Sequence, residues 1–366
     1  MKIEDITNLL EKIAPLYLQE SYDNVGLLTG NKNWNCSGAI ICLDATEEVI
    51  KEAVTKKCNL VIAHHPIIFK GLKKITGKNY VERSIIAAIK NDIAIYAIHT
   101  NLDNVSEGVN KKIAEKIGLK NTRVLQPKES LLKKLVTFVP VNAADKLRNA
   151  FFEAGAGAIG KYSECSFNTE GTGTFKPLEG SNPAIGEQGK RHEEAEMKVE
   201  VIFPAYLEQK LLETMVENHP YEEVAYDIIS LGNYLSDTGS GMIGDLDEEI
   251  LEGLFLSQIK KSFQLSVIKH TALSRKPIKK IAICGGAGIF LLQAAILAGA
   301  DAFLSSDIKY HEYFDADNHL LLLDIGHYES EQFTIDLLFD ILKEKFPNFA
   351  VLKTGIITNP VHYFLG

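Results

Sequence analysis

The stretch "GAIICLDATEEVIKEAVTKKCNLVIAHH" (residues 38–65) decides the fold. It reads as strand, helix, strand. "GAIICLDA" (38–45) and "NLVIAHH" (59–65) are nearly continuous apolar runs without polar alternation, the pattern of strands covered on both faces. Between them, "TEEVIKEAVTKKC" (46–58) has helical periodicity behind a Thr cap. Strands alternating with helices in this way make a parallel α/β unit.

The rhythm continues outward in both directions. "VERSIIAAIKND" (81–92) reads as a helix, "IAIYAIHT" (93–100) as a strand and "GVNKKIAEKIGL" (108–119) as a helix. Upstream, "MKIEDITNLLEKIAPLYLQE" (1–20) is an amphipathic helix pattern, and "SYDNVGLLTG" (21–30) leads from it to a strand. The last third repeats the layout. "IKKIAICGG" (278–286), "DAFLSS" (301–306), "HLLLLDIG" (319–326) and "FAVLKTG" (349–355) read as strands. "IFLLQAAILAGA" (289–300) and "ESEQFTIDLLFDILKEKF" (329–346) read as helices. The expected class is α/β, with two halves of similar layout.

The middle has another order, β-α-β-β-α-β, which is the ferredoxin-like signature. Its strands are expected at 133–141, 161–177, 195–205 and 223–231, and its helices at 143–156 and 206–219. "LEGSNPAIGEQGKRHEEAE" (178–196) reads as a long exposed loop or hairpin extension. "SDTGSGMIGDL" (236–246) reads as a glycine-rich return. The expected organisation is therefore a discontinuous α/β domain, 1–127 with 237–366, interrupted by a ferredoxin-like insert at 128–236.

At 366 residues the chain has room for two or three domains. Its net charge is −9 and no basic stripe appears, so a nucleic-acid partner is not expected. The five cysteines are scattered without a C-x-x-C pair, which fits a reducing compartment. The N-terminus lacks the apolar run of a secretion signal, and no stretch reaches membrane-spanning length. A cytoplasmic protein without a membrane partner is expected.

Ligands of parallel α/β units bind beyond the carboxyl ends of the strands. Four such ends carry ligand-type side chains: His64 and His65; His99 to Asp103; Asp307, with His311 close behind; and His327 with Glu331. His327 and Glu331 are four apart and would share a helix face. Imidazole nitrogens with carboxylate oxygens suit zinc, manganese or iron, and a carboxylate can bridge two ions where an imidazole serves one. Asp103 and Glu331 are the candidate bridges. His99 is a metal-adjacent or purely structural residue, and Asp23 and Asn24 either form a turn or face the site. Asp307 and His311 either bind substrate or start a solvated helix. "CGGAG" (284–288) is either an anion cradle or a tight glycine turn. Nothing in the sequence activates Cys284 as a nucleophile.

The ordered motifs "YDNVGLL", "AHHPIIF", "HTNLDN", "CGGAG" and "GHYESE" resemble those of the Nif-three-like family, also called GTP cyclohydrolase 1 type 2 homologues. The insert, with "NHPYEEVAYDI" (218–228), is similar to CutA-like and PII-like domains of the longer bacterial members. Tyr22 stands where many members carry Trp. The resemblance implies a dinuclear metal site of His64, His65, Asp103, His327 and Glu331 holding two divalent ions, and a toroidal homohexamer. Two functions follow as expectations. One is a metal-dependent hydrolase of a nucleotide-like or other small substrate; the other is a non-catalytic regulatory or metal-handling oligomer.

Overall fold

The structure is a computed structural model that describes residues 1–364. Along the first part of the chain run β1 (Gly26–Thr29), β2 (Ala39–Cys42), β3 (Leu60–Ala63), β4 (Ala94–Ala97) and β5 (Lys120–Pro127). Next come β6 (Leu132–Pro140), β7 (Ser166–Phe175), β8 (His192–Pro204) and β9 (Tyr226–Ser230). The last part carries β10 (Gly239–Leu251), β11 (Lys269–His270), β12 (Pro277–Ile283), β13 (Ala302–Ser305), β14 (Leu321–Asp324) and β15 (Val351–Lys353). The chain divides into two compact units, residues 1–127 with 236–366 and residues 128–235.

The larger unit holds two sheets, ordered β1-β4-β3-β2-β15 and β11-β14-β13-β12-β10-β5. Each has a parallel triple at its centre, β2-β3-β4 in one and β12-β13-β14 in the other. The triples obey the two-residue period of a strand buried on both sides. Ala39, Ile41, Leu60, Ile62, Ala94 and Tyr96 join a core shared with Ile281, Ile283, Leu304 and Leu323 of the second sheet. Ile40, Cys42, Val61, Ala63 and Ile95 point to the opposite face, under the helices Glu47–Thr55 and Tyr80–Lys90. The Thr46 side chain accepts from the Val49 amide and so starts the first of these helices.

The smaller unit is one sheet, β7-β8-β6-β9, antiparallel throughout, with helices Ala144–Ala154 and Glu208–Asn218 packed on it. That is the ferredoxin-like order read from the sequence.

Three sequence readings change. The segment 236–246, read as a glycine-rich return, runs from Gly239 onward as the start of the long strand β10. Its glycines mask the strand pattern, and packing requires them; at Gly241, for example, φ is +64 and a Cβ would meet the Ile283 carbonyl of β12 at 2.9 Å. The loop placed at 178–196 is shorter, because β8 begins at His192 and pairs with Phe175. The two halves are also not separate in sequence. β15, from the C-terminal third, completes the first sheet by pairing in parallel with β2.

Candidate metal centre

The carboxyl ends of the two parallel triples converge on one cluster. β3 delivers His64 and His65, whose amides continue the ladder to Cys42 and Leu43 of the neighbouring chain segment. β4 leads into His99 and a short helix, Thr100–Asp103. That helix is anchored by Asn101 donating to the Ala14 carbonyl and by Asn104 donating to the Leu18 carbonyl. β14 leads through Gly326, φ +90, into the five-residue helix His327–Glu331.

Glu331 is the hub, buried with 3% exposure. Its Oε1 lies 3.7 Å from His64 Nε2. Its Oε2 lies 2.9 Å from His65 Nε2 and 3.1 Å from His327 Nε2. The expected spacing of His327 and Glu331 on one helix face is therefore realised. The two oxygens face different sets of imidazoles, as a bridging carboxylate requires. Asp103 places Oδ1 3.7 Å from His64 Nε2, within reach of an ion held by that imidazole.

Each histidine is oriented through its other nitrogen. His64 Nδ1–H donates to the Ile98 carbonyl at 2.8 Å, which leaves Nε2 with its lone pair. His65 Nδ1 lies 2.8 Å from Asp44 Oδ1, His327 Nδ1 2.6 Å from Asp307 Oδ2, and His99 Nδ1 2.9 Å from Asp23 Oδ1. Carboxylate behind imidazole is the usual support for a metal ligand. Asp307 takes this role from the left-handed region, φ 56.

Two polar atoms in the cluster are buried without a hydrogen-bond partner, His64 Nε2 and Asp103 Oδ1. Burying such atoms unpaired is costly. They face each other at a distance too long for a hydrogen bond. It is close to the roughly 3.4 Å between donors that share a tetrahedral ion. The donor set fits a divalent cation. Among the described residues, His64, His65 and His99 form one potential ligand group, and His65, His327 and Glu331 another. His99 thus stands nearer the ligands than a residue behind them would.

Charge tells the same story. Burial alone would lower the histidine pKa values, but the carboxylates of Asp44 and Glu331 hold His65 up at about 10. Glu331 and Asp307 hold His327 at about 9. Burial would raise Glu331, yet hydrogen bonds from His327 and His65 keep it well below the usual carboxylate range. Burial dominates at Asp103, with the Glu331 charge adding to it, and its pKa is raised to about 7. Bound protons thus occupy the place of cationic charge, and a divalent ion would displace them.

The remaining sequence candidates separate cleanly. Asp23 is a support residue: besides His99 it accepts from the Thr100 amide and hydroxyl, and its pKa is lowered to about 2. Asn24 ties the turn to the Ile68 carbonyl at 2.6 Å and is structural. His311 packs edge-on against Tyr310 and tilted beside Phe314, and makes none of the cluster contacts described above. The glycine turn is not an anion cradle. Its Gly285, Gly286 and Gly288 amides donate to the side chains of Asn110, Ser330 and Ser305. Gly286 has φ +62, and a Cβ there would collide with Glu331 Oε1, so the turn is glycine to admit that carboxylate. Cys284 is buried, which pushes its thiol pKa up and leaves it a poor nucleophile. Asp44 and Thr358, whose hydroxyl donates to Asp44 Oδ2 at 2.6 Å, escaped the sequence reading. Asp44 follows β2 and could have been found by the strand-end rule. Nothing local marks Thr358.

A family model described as Duf34/NIF3 (NGG1p interacting factor 3) matches residues 1–360. The chain belongs to the DUF34/NIF3 family. This DUF34/NIF3 chain is 39% identical to a Halalkalibacterium halodurans protein over 98% of its own length and 97% of the relative's. It is 38% identical to a Bacillus subtilis protein over 89% and 88% of the two lengths. Both relatives are named GTP cyclohydrolase 1 type 2 homolog. Among solved structures, it is similar to a Bacillus cereus protein related to NIF3, with TM-score 0.75, 38% identity and coverage of 100% and 99%. It is also similar to the Staphylococcus aureus protein SA1388, with TM-score 0.80, 31% identity and the same coverage.

Proposed function

We propose that this DUF34/NIF3 chain binds two divalent metal ions, zinc foremost with manganese or iron as alternatives, and hydrolyses a nucleotide-like or other small substrate. The observation that carries the reading is Glu331. It directs one oxygen toward the unpaired His64 Nε2, near Asp103 Oδ1, and the other toward His65 and His327. His64, Asp103 and Glu331 would hold one ion, and His65, His327 and Glu331 the other. His99 lies beside the first set, with its ring nitrogen fixed by Asp23.

When bound, such ions lower the pKa of water and polarise an oxygen of the substrate. The chain's part is to hold the ligands in place. Asp44, Asp307 and the Ile98 carbonyl fix the three imidazoles, so little reorganisation remains for the binding step. The relatives' name, GTP cyclohydrolase 1 type 2 homolog, points to a nucleotide, which the hydrolytic reading accommodates. The family resemblance extends the proposal to a cytoplasmic toroidal homohexamer, which light scattering of the purified protein tests.

A regulatory, non-catalytic reading is favoured by one observation, the cavity of the inserted unit. Two measurements decide between them. Metal analysis of protein expressed with ample metal should find about two ions per chain; none would sink both readings. A screen of nucleotides and phosphoesters should then find turnover that is lost in Glu331→Gln and His64→Ala while both stay folded. Metal-dependent stability without any turnover would favour the regulatory reading.

A further inference from the structure

The inserted unit contains a cavity of about 890 Å³, within the range of small-molecule sites. It lies between the sheet and the 176–191 excursion. Phe138, Phe175, Leu178, Pro183, Ile185 and Tyr221 give it apolar and aromatic walls. The excursion is tied down over it: the Asn182 amide donates to Glu222 at 2.8 Å and the Gly189 amide to the Pro177 carbonyl at 2.8 Å.

Within these walls is Glu196 of β8, only 8% exposed. Its Oε1 accepts from the Tyr221 hydroxyl at 2.8 Å. Among the described residues no lysine, arginine or histidine forms an ion pair with it. The fold makes room for this carboxylate, since a Cβ on Gly173 of the adjacent strand would collide with it. His219 supplies no compensating charge. Burial lowers its pKa, its Nε2–H donates to the Phe138 carbonyl at 3.0 Å, and its Nδ1 accepts from the Tyr221 amide at 3.1 Å. That pairing sets the turn of the "HPYEE" segment, which brings Tyr221, Glu222 and Glu223 to the cavity. Glu170, Glu196, Glu222 and Glu223 line it against only Lys176 and Lys198, and Lys198 is engaged by Glu200. An anionic guest would meet a net negative wall, whereas a cation would gain a buried counter-ion.

We propose that the inserted unit binds a small organic cation, an ammonium group on an apolar or aromatic body, with Glu196 as its counter-ion. Tryptamine is the probe, compared with 3-methylindole and indole-3-propionate as neutral and anionic matches. Calorimetry on the full chain, stripped of metal by a chelator, should show saturable binding of tryptamine and none of indole-3-propionate. Glu196→Gln should weaken tryptamine at least tenfold, and Ile185→Trp, which fills the cavity from the excursion, should abolish binding. Glu331→Gln should leave it unchanged, which separates this site from the metal cluster. Absence of saturable tryptamine binding to the wild type would overturn the proposal. So would equal binding by Glu196→Gln, or equal affinity for the anion.

Discussion

Glu331 and Glu196 are both more than nine-tenths buried, one at the strand ends of the larger unit and one in the inserted unit. Their settings are opposite. Glu331 has histidine nitrogens on both oxygens and is kept ionised by them. Glu196 has a tyrosine hydroxyl, a cavity and, among the described residues, no ion-pair partner. Burying a carboxylate is expensive unless its charge is answered. The larger unit answers from within its own side chains, in an arrangement that ions could take over. The inserted unit leaves the answer to a guest.

Substitution of Glu331 breaks the contrast most strongly. Glu331→Gln removes the group common to both ion positions, and metal retention after gel filtration should fall by more than about 100-fold in affinity at each. With the carboxylate gone, His65 and His327 should also titrate lower in histidine NMR spectra of the metal-free protein, because Glu331 is among the groups that hold them up.

Weakening the supports is the next smaller change. Asp44→Asn and Asp307→Asn should each cost roughly 10- to 100-fold in metal affinity by chelator competition, while leaving the His64 side of the cluster less affected. Binding at neutral pH should also release protons, since His65 and His327 are held near 10 and 9 without metal. Affinity should therefore rise with pH until both are neutral, as titration in buffers of different ionisation enthalpy can show.

Gly286→Ala tests the space made for Glu331. It forces a side chain into a left-handed turn and against the carboxylate, and should destabilise the metal-free protein by about 1–3 kcal/mol in urea unfolding. The effect of Asp23 is the one that depends most on pH. Its folded pKa, about 2, lies below the ordinary carboxylate value. The stability it contributes is thus complete above about pH 4 and is lost as pH falls through 2, amounting to roughly 2 kcal/mol. Asp23→Asn should remove that contribution, lowering stability at neutral pH by roughly 2 kcal/mol and flattening the acid part of the unfolding profile.

Much of this was legible in the chain because the signals are local. Continuous apolar runs identified β2, β3, β4 and β12 to β14. The polar residues that end β3 and β4, and those that follow β14, are the residues that meet in the cluster. The i, i+4 spacing of His327 and Glu331 needs only a helix to be realised. Other features left no local mark. β10 is hidden by glycines that make close approaches to its neighbours β5 and β12, visible only when the strands are paired. The C-terminal strand gave no sign that it would complete the first sheet. "CGGAG" reads equally as an anion cradle or a turn until its amides are traced to Asn110, Ser330 and Ser305.

The sequence by itself determined the α/β class, the ferredoxin-like insert and the residue types of the cluster, because strand burial and helix spacing are properties of neighbouring residues. Tertiary structure alone decided which nitrogen of each histidine faces the cluster, that Glu331 divides its two oxygens between the imidazoles, and that Glu196 is buried beside a cavity. Each of those depends on partners tens to hundreds of residues away along the chain, as His65 and Glu331 are, and no local pattern encodes such a meeting.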